Sequence, residues 1–154
     1  GLGVASNKPF RVGGSTVWEG GIRVPAIFRW PGVLPEGVTN SEMLVSMDLP
    51  PMALKAAGIA LPEDRVFDGF DITACLKGES SSPHEYLYWE WGSNSAAIRK
   101  GPLKLLKESN STNREWQLFN LETDLGETAN LVSQFPDLAL ALKTEWQRWK
   151  LAMQ

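Results

Sequence analysis

Hydrophobic spacing changes character along the chain, and each change marks an element. Val24-Pro25-Ala26-Ile27-Phe28-Arg29-Trp30 is an apolar, β-branched run stopped by Pro31-Gly32. It predicts a buried strand ended by a turn, with Pro25 confined to its first positions. A loop over 33–45 returns to apolar sequence at Met43-Leu44-Val45. Asp48 can then cap a short helix through Pro50, Pro51 and Met52, and Gly58 is its natural stop. Asp71 to Gly78 repeats that grammar on a smaller scale. The polar stretch Glu79-Ser80-Ser81-Ser82-Pro83 is the best internal boundary.

Beyond that boundary the period becomes strand-like. Tyr86-Leu87-Tyr88-Trp89-Glu90-Trp91 is aromatic and strand-prone. Residues 95–100 and 103–107 read as a hairpin about Gly101-Pro102. In 115–121, Trp116, Leu118 and Asn120 alternate with Gln117, Phe119 and Leu121. Four such strands with short connections predict an antiparallel sheet. Phe135, Leu138, Leu142, Trp146, Trp149 and Met153 then recur at steps of three or four. They predict a final helix with one apolar stripe, starting at Pro136 and lying across the sheet.

Composition narrows the chemistry. The 154 residues, 43% hydrophobic and 21% charged, suit one globular domain or a piece of a larger one. A net charge of −3 argues against a nucleic-acid partner. No apolar run reaches the roughly 18 residues of a membrane span, and no signal-like segment opens the chain. Gly1 in place of a methionine reads as an internal cut or an expression remnant. With one cysteine and one histidine, neither an internal disulfide nor a zinc site of four N or S ligands can form. Cys75 reads as buried and inert, and His84, beside Pro83 and Glu85, as a solvated surface residue. Asp124, Glu127 and Asn130 lack the spacing of an EF-hand loop and read as a turn whose Asp and Asn side chains bond backbone N–H groups, not as a metal site. Tyr86, Tyr88, Trp89 and Trp91 could stack on a sugar, but strand packing is the plainer reading.

The densest chemical signal lies between Asn7 and Pro25. Gly13-Gly14-Ser15-Thr16 could turn backbone N–H groups toward an anion, though it lacks the Gly-Lys-Ser/Thr of a P-loop. Glu19 and Arg23 flank Gly20-Gly21. They are either an ion pair pinning a tight loop or a charge pair lining a ligand pocket.

This stretch resembles the sulfatase family, the arylsulfatase-like branch of the alkaline-phosphatase superfamily. Phe10-Arg11, Trp18-Glu19-Gly20-Gly21-Ile22-Arg23-Val24-Pro25 and Arg29-Trp30-Pro31-Gly32 follow its pattern of Arg-x-Gly-Lys-Gly, Glu-Gly-Gly-x-Arg-x-Pro and Trp-Pro-Gly. Further likenesses follow in order: Met47-Asp48-Leu49-Pro50-Pro51, Asp68-Gly69-Phe70-Asp71-Ile72, Ala97-Ile98-Arg99-Lys100-Gly101-Pro102-Leu103-Lys104, and the run from Leu118 to Leu131 with its Asp124-Leu125-Gly126-Glu127 and Asn130. Together they span nearly the whole chain.

The resemblance implies an α+β chain. Residues 1–80 would be the end of an alkaline-phosphatase-like α/β domain, with an active-site wall loop, one strand and short helices. Residues 84–154 would be a subdomain of about four antiparallel strands under a long helix. It implies the C-terminal part of a sulfuric ester hydrolase, whose missing N-terminal part would be the first partner. A sulfated small molecule or glycan would be the substrate of the full-length parent. The formylglycine motif Cys/Ser-x-Pro-x-Arg and the calcium-ligand Asp and Asn motifs of the family do not occur here, so the chain alone should be inactive and no residue in it should hold metal. Calcium is implied for the parent only, and Gly1-Leu2 resembles sequence that follows the family's Asp-Asn-Gly. Arg11, Trp18, Glu19 and Arg23 would stand near the substrate, the first two facing it and the Glu–Arg pair bracing the loop. The family's sulfate-contacting Lys falls at Gly14, so no catalytic residue is assigned. Family members are often exported or periplasmic. The rival expectation is a stand-alone, non-catalytic truncated module that binds a partner or a glycan. Its strand at 24–30 would leave a hydrophobic edge through which two copies could dimerise.

Overall fold

The structure is a computed structural model that describes residues 6–108 and 115–153. The sequence likeness drawn at Gly1-Leu2 lies outside the described residues. Four strands form one antiparallel sheet in the order β1-β2-β3-β4: β1 Leu87–Trp91, β2 Ser95–Lys100, β3 Leu103–Lys107 and β4 Gln117–Asn120. The β2–β3 hairpin closes on Lys100 opposite Leu103, with Gly101-Pro102 between them. Gly101 takes φ 53°, as the first central residue of a II′ turn must. Pairing of Leu105 with both Ile98 and Leu118 sets the register through the sheet centre.

The period of two gives the sheet two different faces. Ala96, Ile98, Leu105 and Leu118 point to one face and pack against Ala139, Leu142 and Trp146. Those three lie on the closing helix Pro136–Ala152, which begins on the proline the sequence marks. Trp146 also donates from Nε1 to the Trp89 carbonyl at 3.3 Å, tying the helix to the outer strand. The stripe is shorter than its sequence periodicity: Phe135 and Met153 at its ends are exposed, and Ala139 is buried instead. Ala97, Leu106 and Phe119 point to the opposite face, where Val17 and Trp18 cover them.

This second cover explains the grouping of the chain into two compact units, Gly1–Pro25 with Tyr86–Gln154, and Ala26–Glu85. The N-terminal segment belongs with the sheet because its Val17 and Trp18 complete the sheet's second hydrophobic layer.

In the other unit, a 3-10 turn over Ser46–Asp48 leads into a helix over Leu49–Ala56, and a further short helix spans Thr73–Lys77. The N-cap of this last helix is Ile72, not Asp71; Asp71 stands one residue earlier and accepts from Thr73 N at 3.1 Å in a turn, and Gly78 ends the helix at φ 77°. Met52, Ile72 and Cys75 form the core of this unit, so Cys75 is buried and burial raises its thiol pKa. The strand expected at 24–30 is a correction. Those residues are in no strand, and Val24 and Ile27 are 76% and 95% exposed. A strand exists through its ladder of neighbours, and among the described residues nothing pairs with this run.

Candidate functional site

The sheet face beneath the N-terminal segment is not wholly apolar. β3 reads Leu103-Lys104-Leu105-Leu106-Lys107, and its alternation places Lys104 on the same face as Leu106. Lys104 is fully buried. A buried ammonium must be paired, or its desolvation would be prohibitive. Its Nζ lies 2.9 Å from Glu19 Oε1 and 2.8 Å from Glu127 Oε1, and both carboxylates are buried as well.

Each carboxylate arrives by a different local device. Glu19 opens a single helical turn, α1, over Glu19–Ile22. The turn sits so close to the preceding loop that side chains are excluded. A Cβ on Gly20 would lie 2.0 Å from the Val12 carbonyl oxygen, and one on Gly21 would lie 2.6 Å from that of Thr16. These glycines are required for close backbone approach. Glu127 follows the turn from Asp124, whose carboxylate accepts from Thr128 N and Ala129 N. Glu127 itself takes φ 52°, an uncommon conformation for a residue with a Cβ. Its Oε2 accepts from Glu19 N at 2.7 Å, so the two acidic residues are joined directly. Burial, the largest influence, raises the Glu127 carboxyl pKa, and Lys104 opposes that rise.

Three arginines surround this buried triad. Arg11 donates to the Glu127 carbonyl at 3.1 Å, and its guanidinium stands 4.1 Å from the Trp18 ring centre. Trp18 in turn packs on Phe119 of β4. Arg23 Nη1 and Arg99 Nη1 lie 3.6 and 3.8 Å from Glu19 Oε2. That oxygen is buried and accepts no hydrogen bond from the described residues. Burial lowers the Arg99 pKa, the Glu19 charge raises it and the Arg23 charge lowers it. Gly14 sits in the loop before α1 at φ 60°, with nothing within 4 Å of where a Cβ would stand.

Arg11, Trp18, Glu19 and Arg23, chosen from sequence, are therefore neighbours. Three others were missed: Lys104, Glu127 and Arg99. Lys104 carried a signal, since a charge inside an apolar strand needs a partner. Glu127 stands in the family-like run from Leu118 to Leu131, but its partners lie far away in sequence and nothing local points to them. The turn reading of this segment holds for Asp124 and for Asn130, which accepts from Leu118 N and Val132 N. Glu127, between them, turns into the core.

His84 is a second correction. Its side chain is 6% exposed, and Nε2 lies 2.8 Å from Asp48 Oδ1. Asp48 also accepts from Val45 N and Phe70 N. A buried carboxylate gathering donors explains why the imidazole turns inward from a polar linker. Tyr86 and Tyr88 stack on each other, Tyr88 stacks at 4.9 Å on Trp149 and its hydroxyl donates to Glu145, and Trp89 packs on the opposite face, whereas Trp91 is exposed. Lys100 and Lys150 stand over the Tyr86 and Trp146 rings. Among the described residues no three His, Cys, Asp or Glu side chains are grouped to hold a metal.

Comparison with known proteins identifies the family. The family model described as N-sulphoglucosamine sulphohydrolase, C-terminal, matches residues 14–151. A sulfatase of Formosa agariphila is 32% identical over 169 aligned positions, taking in 96% of this chain and 30% of the relative. Human steryl-sulfatase is 43% identical over 98 positions, covering 63% of this chain and 17% of that protein. The crystal structure of Ps i-CgsB in complex with k-i-k-neocarrahexaose superposes with a TM-score of 0.82 at 30% identity, over 94% of this chain and 32% of that one. The chain thus spans under a third of the length of these relatives. With nearly all of its residues matched by one family model, by a relative of the same kind and by the fold of a solved structure, the chain belongs to the sulfatase family, in that family's C-terminal region.

Proposed function

We propose that this chain supplies one wall of the substrate pocket of a sulfuric ester hydrolase. The nucleophile and the calcium ligands would come from sequence outside it. The observation that carries this reading is the family match, which takes in most of this chain but only 30% of the relative. Residues 1–80 would continue the large α/β domain of the parent, and 84–154 would form its smaller C-terminal part. Arg11 would face substrate, with Trp18 buried beneath its guanidinium and Glu19 and Arg23 as the brace. The 3.1 Å bond and the stacking that hold Arg11 support this, because a fixed cation suits an anionic substrate.

Alone, the chain would not hydrolyse sulfate esters. The test compares hydrolysis of 4-nitrocatechol sulfate by this chain with that by the longest open frame containing it. Activity in the longer protein and none in the chain is expected, whereas turnover by the chain alone would sink the proposal. In the longer protein, Gly14→Lys should raise turnover by supplying a cation for charge developing on sulfate. The site has room for it, although an L-residue at φ 60° costs about 1 kcal/mol. Unchanged turnover would count against that role.

A second reading, a non-catalytic binding module, is favoured by the missing cation at Gly14. In it, the exposed Val24 and Ile27 would be covered by a second copy. Sedimentation of the isolated chain tests this: a monomer at tens of micromolar would remove the dimer from consideration.

A further inference from the structure

We infer that Arg23 and Arg99 form a clamp for an oxyanion above the buried Glu19, receiving a sulfate ester group carried by a glycan. The inference rests on the reading above for the identity of the anion's carrier.

The argument is one of unmatched charge. Among the described residues, Lys104, Arg23 and Arg99 stand within ion-pair distance of two carboxylates, Glu19 and Glu127. One positive charge is left over, in a chain whose net charge is −3. Arg11, held on the Glu127 carbonyl, adds another. The excess cannot reside on Lys104, which is buried between both acids. It lies at the rim, where the Arg23 and Arg99 side chains are 41% and 19% exposed.

Geometry points the same way. Both guanidiniums approach a single oxygen, Glu19 Oε2, at 3.6 and 3.8 Å, and neither makes a hydrogen bond to it. Arg99 is fixed from behind by its Nε bond to the Gly101 carbonyl at 2.8 Å, and Arg23 lies over the Phe10 ring. Two like charges are therefore held side by side with N–H groups to spare. An anion bridging them would relieve the repulsion and accept those donors. Planar guanidinium forks match tetrahedral oxyanions, whose oxygens accept in pairs.

The test is calorimetric titration of the whole chain at physiological ionic strength, with three probes: sodium sulfate, a heparin hexasaccharide and its desulfated counterpart. The sulfated hexasaccharide should bind and the desulfated one should not. Arg23→Gln and Arg99→Gln should each weaken binding about tenfold or more, the usual weight of a charge-assisted bond. Arg65→Gln, an exposed arginine paired with Asp64, should leave it unchanged. Arg99 is largely buried, so Arg23→Gln, with a thermal melt matching the parent chain, keeps the test independent of folding. Equal affinity in the parent chain and Arg23→Gln, or no binding of either free sulfate or the hexasaccharide, overturns the clamp. Binding of free sulfate without the hexasaccharide overturns the glycan assignment. A longer protein that fails to hydrolyse sulfate esters would sink the proposed function and leave this binding result intact.

Discussion

Replacing Lys104 with methionine isolates the charge at the centre of the sheet. Methionine keeps an unbranched stem of similar length, so packing against Leu106 and Phe119 changes little. What disappears is the Nζ that lies 2.9 Å from Glu19 and 2.8 Å from Glu127. Two buried carboxylates are then left facing each other. Removing one partner of a buried ion pair costs about 3–5 kcal/mol, because the remaining charge stays desolvated. That is a large share of the 5–15 kcal/mol that holds a typical domain together. The loss should depend on pH with a definite sign. The folded Glu127 carboxyl already titrates above its ordinary value through burial. A group raised in the folded state favours folding below its unfolded pKa, and that contribution is lost as pH rises through the folded pKa. Without Lys104 the folded value rises further. Protonating Glu127 removes the unpaired charge in the variant and weakens the ion pair in the parent chain. Both effects shrink the difference as pH falls from 7 to about 5. Urea unfolding followed by tryptophan fluorescence at both pH values measures it. Adding Glu127→Gln to the variant should recover part of the loss at pH 7. A loss below about 1 kcal/mol at pH 7, or one that is the same at both pH values, would refute the reasoning.

Other perturbations follow from the same structure. Gly20→Ala should destabilise by about 1–3 kcal/mol through overpacking against the Val12 and Arg11 carbonyls, and faster hydrogen exchange over residues 16–23 would register it. Trp146→Ala should cost about 3–5 kcal/mol in a urea titration, since it empties the helix–sheet core and frees the Trp89 carbonyl. Asp48→Ala leaves Val45 N, Phe70 N and His84 without their acceptor; a loss of about 2–4 kcal/mol is expected, with exchange increasing over 44–85. Burial and the bond to Glu145 hold the Tyr88 phenol well above its ordinary pKa. The folded chain near pH 11 should therefore show less phenolate absorbance than the urea-unfolded chain, and equal absorbance would contradict the placement of that hydroxyl.

The elements readable from sequence are those stabilised locally. The hairpin follows from Gly101-Pro102 between alternating strands, and the last helix from Pro136 and a stripe through Leu142 and Trp146. The run 24–30 misled because its composition speaks for a strand whose neighbours are not among the described residues. His84 misled because polar flanks say nothing about a carboxylate at Asp48, distant in sequence. In the candidate site, Glu19 and Arg23 were legible at a spacing of four. Lys104, Arg99 and Glu127 join them only through the sheet register and the turn before Asn130, which no local pattern encodes.

The cation in the middle of the sheet has a consequence for how the chain assembles. The helix that covers one face follows the strands closely, so that layer can form early. The other face waits for residues that precede Ala26, and the whole of Ala26–Glu85 intervenes. Until they arrive, Ala97, Leu106 and Phe119 are bare. Arg99 and Lys104 stand among them and keep that surface wetted, which discourages it from pairing with any other greasy sheet. Only a segment that brings its own acid to meet Lys104 can dry the face without stranding a charge. The pair thus acts as a password for docking, admitting the segment that carries Glu19 and turning away apolar impostors.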